Sequence, residues 1–277
     1  MSTATHFADR LAAAVERKGA ALCVGLDPDP ERLPHGVGAV EFCRGIVDAV
    51  AETAVAVKPQ AAFFEALGAE GWAGFHAVCA YAREAGLLVI ADAKRGDVPS
   101  TARAYAAAFA PVADAVTVNP YLGRDSVEPF LEREGLGVFC LVKTSNPGSA
   151  DLQDAPLEDG RPLWRRVAEL VDSWGADLVG ESGLSSVGAV VGATFPQEVA
   201  EARRLLPRSV LLLPGVGAQG GRPEELAAAF SAGPASALVS ASRSVLYADS
   251  GPGWREAAAA EARRLRDEVA RTVELVA

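Results

Sequence analysis

Asp92, Lys94 and Asp97 stand within Leu88-Val89-Ile90-Ala91-Asp92-Ala93-Lys94-Arg95-Gly96-Asp97-Val98, where an apolar run ends in alternating charge. In extended backbone, residues two apart face the same side, so Asp92 and Lys94 are expected to project together. Gly96 frees the chain to turn, which leaves Asp97 just beyond the run. An ammonium between two carboxylates keeps every member ionised. Such a group suits proton transfer, although an Asp-x-Lys at a strand end is more often a structural ion pair.

The whole chain limits what this group serves. Its 277 residues, 50% of them hydrophobic, suit one large α/β barrel or two small domains. The net charge of -10 argues against nucleic acid as a partner. An anionic ligand must then be drawn by local Lys, Arg and backbone N–H groups. No apolar run approaches the roughly 20 residues of a membrane helix, and the amphipathic start, with Phe7, Leu11 and Val15 on one face, lacks the apolar core of a signal peptide. The expectation is a cytoplasmic protein with no membrane partner. Cys23, Cys43, Cys79 and Cys140 are scattered without a CxxC pair, so reduced core thiols are expected, with no disulfide and no metal site.

Eight apolar runs alternate with Ala-rich helical stretches: 21–25, 54–58, 87–91, 115–119, 137–142, 188–191, 210–214 and 237–240. Helical patterns fall at 61–67, 71–85, 101–109, 196–206 and 224–232, with an N-terminal helix over 5–18 and a closing helix over 254–276. Strict alternation without a linker points to residues 1–277 as a single (β/α)8 TIM barrel. A doubly wound open sheet would usually carry GxGxxG at its first turn, and none is there.

In such a barrel the chemistry belongs at the carboxyl ends of the strands. Asp27 follows the first run, Lys58 ends the second, Asp92 and Lys94 the third, and Asn119 the fourth. Lys143, Thr144, Ser145, Asn146, Pro147 and Gly148 follow the fifth, before a longer segment with room for a helix and a covering loop. Lysines and carboxylates converging on one rim cost several kcal/mol each if desolvated unpaired, which disfavours accident. Lys58 can serve catalysis or simply neutralise Asp27 or Asp92. His6, His35 and His76 lie away from this rim, so no histidine acid or base is expected.

The seventh run leads into Pro214-Gly215-Val216-Gly217-Ala218-Gln219-Gly220-Gly221, whose glycines let backbone N–H groups approach an anion without Cβ obstruction. The eighth ends in Ser240-Ala241-Ser242-Arg243-Ser244, bringing a guanidinium and hydroxyls beside that loop. These are the loops where barrels commonly hold phosphate, and Arg243 can grip it in a bidentate manner. Pro214, Gly217, Gly220, Ser242 and Arg243 are the expected binding positions.

Taken together, Asp92-Ala93-Lys94-Arg95-Gly96-Asp97-Val98-Pro99-Ser100-Thr101, Lys58-Pro59-Gln60, Thr144-Ser145-Asn146-Pro147-Gly148 and the glycine loop resemble the orotidine 5'-phosphate decarboxylases. Val118-Asn119-Pro120-Tyr121 and Val191-Gly192-Ala193-Thr194 resemble their longer bacterial subgroup. The resemblance implies loss of carbon dioxide from orotidine 5'-phosphate to give uridine 5'-phosphate, the last step of pyrimidine nucleotide synthesis. It also implies a homodimer that uses no metal or organic cofactor. By similarity Lys94 protonates C6, Asp92 lies against the departing carboxylate, Lys58 anchors the array and the ribose, and Asp27 binds ribose hydroxyls. Asp97 and Thr101 reach the partner's site, Ser145 reads the pyrimidine edge, Gln219 bridges base and phosphate, and Arg243 holds the phosphate. The alternatives are a magnesium-dependent phosphosugar aldolase or decarboxylase of the same barrel group, and a phosphate-binding barrel without activity. The first expects a carboxylate pair where this chain has Lys58; the second has no use for Lys94 with Asp97.

Overall fold

Eight short runs, most of them buried throughout, pair in parallel and close on themselves. They are β1 (Leu22–Leu26), β2 (Ala56–Pro59), β3 (Leu88–Arg95), β4 (Ala115–Val118), β5 (Gly137–Lys143), β6 (Ser185–Val191), β7 (Ser209–Pro214) and β8 (Ala237–Ala241). β8 returns to β1, with Cys23 opposite Ser240, so the sheet has no edge. Near-continuous apolar runs suit strands covered on both faces, by barrel interior and by helices. The expected (β/α)8 TIM barrel is what this computed structural model contains; it describes residues 6–217 and 220–276.

The helices are α1 (Phe7–Lys18), α2 (Ala39–Val50), α3 (Ala61–Glu65), α4 (Gly68–Glu84), α5 (Pro99–Phe109), α6 (Arg124–Leu131), α7 (Leu163–Trp174), α8 (Pro196–Leu205), α9 (Arg243–Leu246) and α10 (Trp254–Glu274). Residue 5, where the first helix is expected to begin, lies outside the described residues. α1 buries Phe7, Leu11 and Val15, and the Phe7 ring meets Phe139 of β5 edge-on at 5.8 Å. α10 packs on α2, with Trp254 and Phe42 ring centroids 4.9 Å apart. Between β7 and β8 the chain forms a 3-10 helix, Pro223–Phe230, where the sequence pattern suggests an α-helix over 224–232. Among the described residues no helix is long and apolar enough to cross a membrane.

Two expectations are corrected at the end of β3. The strand continues past Ala91 to Arg95, and its register on β4 shifts between those residues. Gly96 does not take up a positive φ. A Cβ there would lie 2.5 Å from the carbonyl oxygen of Asn119, so the glycine permits close approach of two chain segments rather than a turn.

Candidate active site

The carboxyl ends of the strands open into a cavity of about 490 Å3, lined in part by Asp27, Lys58, Asp92, Lys94, Ser145 and Arg243. Asp92 is its electrostatic centre. The side chain is buried and accepts from four donors: Lys94 Nζ at 2.5 Å and Thr117 Oγ1 at 2.9 Å on Oδ1, Lys58 Nζ at 2.5 Å and Gln60 Nε2 at 3.2 Å on Oδ2. Burial pushes the Asp92 carboxyl up, but Lys58 and then Lys94 more than offset it and hold it well below the usual carboxylate range. Burial likewise pulls Lys58 down, and Asp92 with Asp27 carries it above the ordinary lysine value. At neutral pH both Asp92 and Lys58 are therefore charged.

Lys94 reaches Asp92 by a route that simple strand alternation does not give. Its φ is 47°, in the left-handed region, and its backbone N–H donates to Thr117 Oγ1 at 2.9 Å. Both lysines line the cavity, but the Lys94 side chain is 42% exposed whereas that of Lys58 is 8% exposed.

Asp27 follows β1. Its Oδ2 accepts from Ser242 Oγ at 2.5 Å, and its buried Oδ1 has no protein partner among the described residues. Tyr247 ties the same turn, donating to the Asp27 carbonyl at 2.7 Å and accepting from the Asp29 N–H at 2.9 Å. Arg243 opens α9 with its side chain exposed, directly after Ser242 at the end of β8.

Pro214 ends β7 and lines the cavity. Gly217 and Gly220 have φ of 78° and 89°, as a tight glycine loop requires. Their N–H groups are used inside the loop, Gly217 to the Gly221 carbonyl at 3.1 Å and Gly220 to the Gly217 carbonyl at 2.9 Å. Gln219 lies outside the described residues. Asp97 and Thr101 are not among the residues lining this chain's cavity; Asp97 accepts from the Val98 N–H at 2.7 Å, and Thr101 lies in the first turn of α5.

Thr117 has a role that sequence reasoning missed, because a threonine inside Ala115–Val118 looks like an ordinary β-branched strand residue. Gln60, which donates to Asp92, and Tyr247, which braces the Asp27 turn, likewise leave no local sequence signal of these contacts. Among the described residues no three His, Cys, Asp or Glu side chains are grouped to hold a metal ion. All four cysteines are buried and free, and burial pushes Cys23, Cys79 and Cys140 up to about 12, which leaves them as protonated core thiols.

Fold and mouth together define a (β/α)8 barrel with a charged, carboxylate-centred site at the carboxyl ends of its strands. Residues 20–259 match the Orotidine 5'-phosphate decarboxylase / HUMPS family, and the chain belongs to that family. Among similar proteins, the orotidine 5'-phosphate decarboxylase of Roseiflexus castenholzii is 48% identical over 95% of this chain and 97% of its own. That of Rhodopirellula baltica is 46% identical over 87% and 88%. A chain of known crystal structure from Toxoplasma gondii is 35% identical, covers 100% of both chains and superposes with a TM-score of 0.85.

Proposed function

We propose that this chain, working as one barrel unit from residue 1 to 277, decarboxylates orotidine 5'-phosphate to uridine 5'-phosphate, completing pyrimidine nucleotide synthesis. The observation that carries the reading is the Lys94 ammonium 2.5 Å from the buried Asp92 carboxylate at the cavity wall. Membership of the family and the names of the relatives support the substrate.

The chemistry asks for what this site offers. Loss of carbon dioxide leaves an sp2 carbanion at C6 that the ring does not delocalise well, so stabilisation must be electrostatic. Lys94 supplies a cation beside the developing charge, then the proton that quenches it. Asp92 lies against the departing carboxylate and keeps the buried Lys58 ionised. Repulsion between Asp92 and the substrate carboxylate cannot supply the effect alone: two like charges ~4 Å apart repel by ~4 kcal/mol at an effective dielectric of 20, whereas enzymes lower barriers by ~8 kcal/mol or more. Binding energy from the remote phosphate makes up part of the difference by holding the pyrimidine in place.

In this reading Lys58 anchors the array and the ribose, Asp27 takes ribose hydroxyls, and Ser145 reads the pyrimidine edge. Arg243 holds the phosphate with Ser242, Pro214, Gly217 and Gly220, while Gln219 bridges phosphate and base. Asp97 and Thr101 complete the site of a second copy in a homodimer; both stand outside the cavity lining of their own chain, which supports that placement. The reaction needs no metal or organic cofactor. The test is to add orotidine 5'-phosphate to metal-stripped protein and follow its ultraviolet absorbance. Conversion at an undiminished rate is expected. Activity that vanishes with EDTA and returns with Mg²⁺ contradicts the reading and favours a metal-dependent aldolase.

A further inference from the structure

Lys143, the last residue of β5, is a buried lysine for which the reaction has no use. Its side chain is 3% exposed, and it is absent from the residues lining the cavity. A lysine is kept in such a place only when its charge is met, and here Nζ donates to both carboxylate oxygens of Asp154, at 2.7 and 2.8 Å. Asp154 is 11 residues further on, so the pair closes a loop.

What that loop encloses gives the pair its meaning. Next to Asp154, Gln153 clamps Thr144 twice: its Oε1 accepts from the Thr144 N–H at 2.8 Å and its Nε2 donates to Thr144 Oγ1 at 2.8 Å. Thr144 Oγ1 donates in turn to Asn146 Oδ1 at 2.6 Å, and the Ser149 N–H donates to the Asn146 carbonyl at 3.0 Å. The other side is closed by β6. The Gly192 N–H donates to the Lys143 carbonyl at 2.9 Å, and a Cβ on Gly192 would lie 2.8 Å from that of Ser145. Residues 144–146 all line the cavity, and they are held between the Gln153 clamp and Gly192. Glu198 adds a second carboxylate near Lys143: burial raises its pKa, Lys143 opposes that rise, and its Oε2 is buried without a protein partner among the described residues.

We propose that Lys143 and Asp154 are positioning residues, a buried latch that acts through Gln153 to hold residues 144–146 in the shape that receives the pyrimidine. The inference rests on the reading that Ser145 faces the base. It assigns the latch to base recognition and gives it no part in the phosphate grip at Arg243. A general stabilising pair would affect all ligands alike, whereas a latch on this loop affects only those that carry a base.

The experiment compares wild type with Lys143→Met and Asp154→Ala by titration calorimetry, using uridine 5'-phosphate and ribose 5-phosphate as ligands. The Asp154 side chain is 41% exposed, so Asp154→Ala keeps the test open if Lys143→Met fails to fold. The expected result is that uridine 5'-phosphate binds about tenfold more weakly to the variants while ribose 5-phosphate affinity is unchanged. KM for orotidine 5'-phosphate should rise by a similar factor. Equal weakening of both ligands, or no weakening of either, overturns the latch. A wild-type chain that binds neither ligand overturns the functional reading beneath it, and the latch with it.

Discussion

Lys94 turns through a left-handed backbone conformation, φ 47°, to set its ammonium 2.5 Å from Asp92 Oδ1, two residues back on the same strand. The bulge between Ala91 and Arg95 makes room for this turn, and Thr117 secures it by accepting from the Lys94 N–H and donating to Asp92. The arrangement places a strained residue at the point where the chemistry is proposed to occur.

That strain is measurable. Lys94→Gly and Lys94→Ala both remove the ammonium, but alanine keeps the Cβ penalty of the left-handed region and glycine does not. Lys94→Gly is expected to be the more stable variant by about 1 kcal/mol in denaturant unfolding. Equal midpoints, or a more stable alanine variant, contradict the claim that the turn is strained.

The acid limb of stability should carry the signature of Asp92. Its folded-state pKa is depressed below the ordinary 3.8, so its contribution is present in full above about pH 4 and is lost as pH falls towards the depressed value. Lys58 behaves in mirror image: its pKa is raised, so its contribution holds below the ordinary 10.5 and is lost as pH rises above it. Asp92→Asn should flatten the acid-side loss in a series of urea midpoints. At pH 7 it should also cost about 3–5 kcal/mol, because Lys58 is left buried without its counter-charge. An unchanged acid slope contradicts the assignment.

If Arg243 holds the phosphate as proposed, Arg243→Ala removes charge-assisted hydrogen bonds to it, each worth about 1.5–3 kcal/mol. Uridine 5'-phosphate should bind about 10- to 150-fold more weakly, while uridine, which lacks the phosphate, binds as before. Calorimetric titration of both ligands separates the effects; equal weakening places the phosphate elsewhere.

The proposed sharing of sites between two copies predicts complementation. Lys94→Ala and Asp97→Ala homodimers should each be nearly inactive. Unfolded and refolded together in equal amounts, they should form half mixed dimers, in which one site carries both lesions and the other none. About one quarter of all sites is then intact. Activity that stays at the parental level, while mass measurement finds mixed dimers, assigns Asp97 to its own chain.

Much of this arrangement is legible in the amino-acid order, for physical reasons. Strands buried on both faces leave unbroken apolar runs, so the approximate positions of eight strands follow from hydrophobicity. Beside β3, which runs on to Arg95, β6 is an instructive departure: it starts at Ser185 rather than 188, because Ser185 Oγ donates to the Gly175 carbonyl at 2.9 Å and a satisfied hydroxyl can lie in a strand. Charged residues at the strand ends are visible because they interrupt those runs. What pairs with them is less so. Neither the left-handed turn at Lys94 nor the reach of Asp154 back to Lys143 leaves a local pattern, since both depend on contacts made across the fold.

The most direct test of the proton-donor claim is to follow the ultraviolet absorbance of orotidine 5'-phosphate with wild type and Lys94→Ala, alongside a calorimetric titration of each with uridine 5'-phosphate. General acid catalysis is worth about 10²–10⁴-fold. Wild type should convert the substrate, and Lys94→Ala should lose kcat by at least that factor while still binding the nucleotide. A Lys94→Ala enzyme with near-normal kcat contradicts the account.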